Sequence, residues 1–165
     1  MLIFFALSII SFTISAQEDK AKRPSPPATA SGTINGKSVT IHYGQPSVKG
    51  REIFGKLVPY GEVWRAGANE ATTIEFPKEV SIEGKTLPAG KYGFFTIPNA
   101  GEWTIIFNKV PNQWGAFKYD AAQDALRVMV KPKKSKAFNE KLSYTVNKNS
   151  VSLAWENTEV AFAVK

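Results

Sequence analysis

From residue 30 onward, apolar and polar positions alternate in short runs interrupted by Gly, Pro and Asn, and no window of helical length carries a sustained 3.6-residue apolar stripe. That pattern predicts strands. Asn35-Gly36 lies between Ser31-Gly32-Thr33-Ile34 and Lys37-Ser38-Val39-Thr40-Ile41-His42-Tyr43, which predicts a hairpin with a type I′ turn, because both turn positions then need positive φ. In the second of these strands Val39, Ile41 and Tyr43 share one face, and Thr40 and His42 the other. Alternation returns at Thr72, Ile74 and Phe76, at Val80-Ser81-Ile82 before a Glu83-Gly84-Lys85 turn, and at Leu126, Val128 and Val130. Residues 92–97 and 103–107 are almost continuously apolar, which predicts strands buried on both faces. Three further runs, 141–146, 151–155 and 160–164, are joined by Asn147-Lys148-Asn149 and Glu156-Asn157-Thr158, both read as tight hairpins. About nine strands with short turns predict an all-β fold: a single antiparallel β-sandwich or jelly-roll-like domain.

One stretch does not fit. Residues 44–69 contain Pro46, Gly50, Gly55, Pro59, Gly61 and Gly67 around Arg51-Glu52-Ile53-Phe54, and they predict one long structured loop. Loops of this length inside a compact domain are uncommon, and they are often where function sits.

The chain opens with residues 1–16, which carry no charged side chain and end on Ala16 just before Gln17-Glu18-Asp19-Lys20. This predicts a secretory signal peptide cleaved after Ala16, hence a periplasmic or secreted protein with no transmembrane segment after cleavage. The alternative is an N-terminal anchor that stays attached. Residues 17–29, with Pro24, Pro26 and Pro27, read as a Pro-rich tether, and the domain is placed at 30–165. With no cysteine anywhere, disulfides, thiolate chemistry, iron–sulfur ligation and lipoprotein acylation are all excluded.

Charge adds little. Lys and Arg total 21 against 14 Asp and Glu, a formal +7. The basic run Lys131-Pro132-Lys133-Lys134-Ser135-Lys136 reads as a solvated linker, and neither an Arg-rich stripe nor a nucleic-acid motif accompanies it. His42 is the single histidine, so no metal site and no cofactor is expected.

The richest polar constellation is Arg51 together with Glu62-Val63-Trp64-Arg65-Ala66-Gly67-Ala68-Asn69-Glu70. Guanidinium, amide, carboxylate and indole groups crowded into a Gly-rich loop suit a sugar or another small polar ligand. An indole face covers C–H groups, and the polar side chains match hydroxyls or a uronate carboxylate. The candidate binding residues are Arg51, Trp64, Arg65, Asn69, Glu70 and Trp114, the last in a Pro/Asn/Gly loop. The competing structural reading pairs Arg65 with Glu70, or Arg51 with Glu62, to pin the loop internally, leaving a structural or envelope-interaction protein. A third reading is a hydrolase or lyase using Glu70 and Asp120 as acid and base.

Several stretches carry a resemblance: Tyr43-Gly44-Gln45-Pro46-Ser47-Val48-Lys49-Gly50-Arg51, Ile53-Phe54-Gly55, Leu57-Val58-Pro59-Tyr60-Gly61-Glu62-Val63-Trp64-Arg65-Ala66-Gly67-Ala68-Asn69-Glu70, Leu87-Pro88-Ala89-Gly90-Lys91-Tyr92, and Trp103-Thr104-Ile105-Ile106-Phe107-Asn108. Over roughly residues 26–165 the chain resembles domain-of-unknown-function family 2911, a family of exported bacterial proteins with no established activity. The resemblance implies one all-β domain behind a signal peptide. It also implies a hallmark cluster at Tyr43, Arg51, Trp64, Arg65, Asn69 and Glu70.

Overall fold

The computed structural model describes residues 19–165, so the leader expected over 1–16 lies outside the described residues. Among the described residues ten strands form: β1 (Pro27–Ile34), β2 (Lys37–Gly44), β3 (Thr73–Phe76), β4 (Val80–Ile82), β5 (Lys85–Leu87), β6 (Gly90–Ile97), β7 (Trp103–Asn108), β8 (Asp124–Val130), β9 (Lys133–Val146) and β10 (Ser150–Ala163). One sheet has the order β1-β2-β3-β6-β7-β8, and every neighbour is antiparallel. The long β9–β10 hairpin starts the facing layer. The β4–β5 hairpin extends it, since Ser81 and Lys165 exchange backbone hydrogen bonds at 2.8 and 2.9 Å. On the other side Ser47 bridges to Lys141. Phe94 and Phe107 of the first sheet each meet Phe162 of the second, with ring centroids 5.7 and 5.6 Å apart, so the layers bury their apolar faces against each other as an all-β sandwich.

Local chemistry explains the elements. Asn35 and Gly36 hold φ of 49° and 73°, the two positive values a type I′ turn requires, and β1 pairs with β2 directly across them. Val39, Ile41 and Tyr43 are buried while His42 is exposed. Strand β6 is buried from Tyr92 through Thr96. Phe94 faces the main core, and Phe95 joins Ala71 and Ile106 in a second small core on the outer face, covered by Val63, Ala116 and Tyr119.

Three boundaries differ from the expectations. Strand β1 begins at Pro27, ahead of the expected domain start at residue 30, because Ala28 and Ala30 already pack against the main core. The basic run is not a linker past Pro132: Lys133 to Lys136 open β9, where Lys133 pairs with Glu159 across the strands at 3.2 Å. The joint expected at Glu156-Asn157-Thr158 is no hairpin. Strand β10 runs through it with shifted register on both sides of Glu156, whose φ is 55°. Turn-forming residues here make a bulge, because β9 is long enough to partner the whole of β10.

Candidate functional site

The irregular segment between β2 and β3 is anchored by its own apolar side chains. Val48, Ile53, Phe54, Val58 and Ala66 are all buried in the main core. Its return leg is fixed at Ala66, whose carbonyl accepts from the Tyr144 hydroxyl at 2.6 Å and from the Thr72 hydroxyl at 3.0 Å. Trp64 exchanges backbone hydrogen bonds with Thr96 at 2.8 and 2.9 Å, which lays this leg on β6. Arg51 closes its own turn, donating from Nε to the Val48 carbonyl at 3.0 Å and from Nη2 to the Ser47 carbonyl at 2.6 Å.

Within this scaffold Arg51, Glu62, Trp64, Arg65 and Asn69 line a cavity of about 440 Å³, with Trp155 of β10 also in the lining. Trp64 stacks on Trp155, with centroids 5.9 Å apart and planes 14° from parallel, while Phe54 meets Trp64 edge-on at 5.7 Å. Two residues of this lining carry buried donors that lack partners, Arg65 Nε and Trp155 Nε1. Arg65 has no carboxylate within ion-pair reach among the described residues, and burial alone pushes its guanidinium below the ordinary arginine range. Buried polar groups are normally satisfied, so two such donors on residues lining one cavity call for an explanation.

The other predicted residues have different work. Asn69 also reaches the N-terminal segment, donating from Nδ2 to the Ser25 carbonyl at 2.9 Å. Glu70 is bonded by Lys20 at 2.9 Å and by Arg23 at 3.0 and 3.1 Å. These contacts, the Lys20 hydrogen bond first, pull the Glu70 carboxyl down to about 2. The Trp114 ring lies under the Arg23 guanidinium, 5.8 Å from its centroid, and Trp114 bridges to Glu70 through the backbone. Arg51, Trp64 and Arg65 thus line the cavity, Asn69 and Glu70 dock residues 19–26 with Trp114, and Asn69 does both. The ion pairs expected between Arg65 and Glu70 and between Arg51 and Glu62 do not form; partners from the N-terminal segment take Glu70 instead.

Between the docked segment and β2 lies a second cavity of about 500 Å³, lined by Lys20, Arg23, His42, Tyr43, Glu70 and Gln113 among others. His42 Nδ1 lies 2.9 Å from the Thr29 hydroxyl. Asp120 lines neither cavity. It caps a short turn, accepting from the Ala122 amide at 2.9 Å. A carboxylate held ionised by two cations is no general acid, and the Glu70 and Asp120 pairing of the hydrolase reading finds no shared cavity here. Asp124 is spent on structure too, accepting from Tyr119 and from Arg127 at 2.6 Å each and from Asn108 at 2.9 Å. Burial first, then Asp124, raises the Tyr119 phenol to about 12. No group of three or more His, Asp or Glu side chains among the described residues is placed to hold a metal ion.

Sequence reasoning missed Trp155, Lys20 and Arg23. Trp155 reads as one more core position in the alternation of Val151 and Leu153, and nothing local marks its indole nitrogen as unpartnered.

No curated protein and no solved structure matches the chain. A family model described as "Protein of unknown function (DUF2911)" matches residues 25–164, nearly the whole described chain, including every residue of the Trp64 cavity. The chain belongs to the DUF2911 family.

Proposed function

We propose that this protein is an exported binding module that takes a small polar ligand or glycan in the cavity between the irregular segment and β10. The observation that carries the reading is the pair of buried, unpartnered donors, Arg65 Nε and Trp155 Nε1, on residues that line one cavity with Trp64. A volume of about 440 Å³ suits a ligand of one or two rings. The uncharged, apolar residues 1–16 support export to the periplasm or beyond.

The test is thermal unfolding of the purified protein with mono- and oligosaccharides, uronic acids, amino acids and divalent ions. A ligand at 100 times its Kd adds about 2.7 kcal/mol, a rise of roughly 5–10 °C for a domain of this size. A rise that disappears in Trp64→Ala supports the site. A flat response across the panel favours a second reading, in which the segment is a structural plug, as its five buried core residues suggest, and the protein acts through an envelope partner.

A further inference from the structure

Two residues in the lining of the Trp64 cavity carry buried, unpartnered polar atoms, Arg65 Nε and Trp155 Nε1, and both atoms are donors. Arg65 is half-buried, and its side chain makes no hydrogen bond among the described residues, although a guanidinium carries five N–H groups. Trp155 is 2% exposed, and its indole nitrogen, which can only donate, has no partner. The complement of such a surface is an acceptor, and the planar fork of Arg65 matches a carboxylate best. Charge sets the valence. Arg51 and Arg65 against the single carboxylate of Glu62 leave the lining one net positive charge, and Arg51 already commits Nε and Nη2 to its own turn, so Arg65 is the guanidinium left to pair. That balance suits one negative charge better than two. Ser25 and Asn69 add polar lining, which fits hydroxyls on the rest of the ligand.

We propose that the ligand is a hydroxyl-rich monocarboxylate of the uronic-acid class, its carboxylate pairing with Arg65 and its oxygens accepting from Trp155 Nε1. The assignment rests on the reading that this cavity binds a small polar ligand. Glucuronate, galacturonate, glucose, galactose and inorganic phosphate, titrated calorimetrically into the purified protein, test it. The uronates bind at least about tenfold tighter than the neutral sugars, the worth of one charge-assisted pair. Arg65→Gln abolishes that preference and Arg65→Lys keeps part of it. Trp155→Phe weakens the uronates severalfold while the preference persists; if that variant does not fold, the two Arg65 variants carry the test. Equal binding of neutral sugars, a preference unchanged in Arg65→Gln, or phosphate binding as tightly as the uronates each overturns the carboxylate assignment while the binding reading stands. No binding by any probe overturns both.

Discussion

The Tyr144 hydroxyl donates to the Ala66 carbonyl at 2.6 Å, tying β9 to the return leg of the irregular segment next to Arg65. The Thr72 hydroxyl shares that acceptor at 3.0 Å, so neither donor stands alone. Tyr144→Phe therefore costs only about 1 kcal/mol, because the carbonyl keeps one bond. Adding Thr72→Val orphans a buried acceptor and costs roughly 1–3 kcal/mol beyond the sum of the two single changes. Urea unfolding of the two single variants and the double one measures this. Additivity within a few tenths of a kcal/mol would mean that the two hydroxyls do not hold Ala66 jointly.

The backbone of the same segment passes too close to β2 for any side chain at Gly44. A Cβ there would lie 2.0 Å from the Ala68 carbonyl oxygen, and a backbone atom cannot move aside as a side chain does. Gly44→Ala is expected to cost more than about 3 kcal/mol, through displacement of residues 66–69 and loss of the cavity. Gly101 is the control: a Cβ added there would meet nothing within 4 Å and its φ is ordinary, so Gly101→Ala is neutral or stabilises by up to about 1 kcal/mol. Similar melting temperatures for the two variants would contradict the close approach.

Docking of the N-terminal segment carries a pH dependence. The Glu70 carboxyl sits near 2 in the folded chain, against an ordinary 4.5, with the Lys20 hydrogen bond as the largest cause. A depressed carboxyl stabilises the docked form above its unfolded value and loses that contribution as pH falls. Residues 19–26 should thus stay docked down to about pH 4.5 and loosen progressively towards pH 2, with faster amide exchange there than in β6. Because the Glu70 side chain is 46% exposed, solvent screens the contacts and the effect on global unfolding is small. Glu70→Gln should release the segment at neutral pH and flatten its acid response. A segment equally protected in that variant would show that Asn69 and Trp114 hold it without the carboxylate.

What was legible in the sequence is what short-range physics decides. Asn35-Gly36 admits little but a type I′ turn, and the almost continuously apolar run from Tyr92 to Ile97 announces a strand covered on both sides, as Phe94 and Phe95 in separate cores show. The Arg51 to Glu70 region stood out because polar and aromatic groups so concentrated in an irregular stretch need a reason. The partners of its charges were not legible. Glu70 pairs with Lys20, 50 positions away, while Arg65, 5 positions away, stays unpaired, because burial and chain path choose among several equally plausible ions. The bulge at Glu156 was hidden for a related reason: the same residues serve a turn or a bulge, and only the length of β9 decides between them.

Arg65 separates binding from structure most directly. A half-buried guanidinium without a counter-ion has given up hydration and gained no ion pair, so it opposes folding. Arg65→Met keeps an unbranched aliphatic stem while removing the charge and its buried donor. Its unfolding free energy should equal the parent's or exceed it by up to about 1 kcal/mol, the pattern of a residue held for function at the expense of stability. Ligand-dependent stabilisation should vanish in the same variant. If Arg65→Met instead destabilised the chain by about 2 kcal/mol or more, well beyond the usual ~0.5 kcal/mol of a neutral surface change, Arg65 would be a structural clamp and the cavity would lose its principal claim to a ligand.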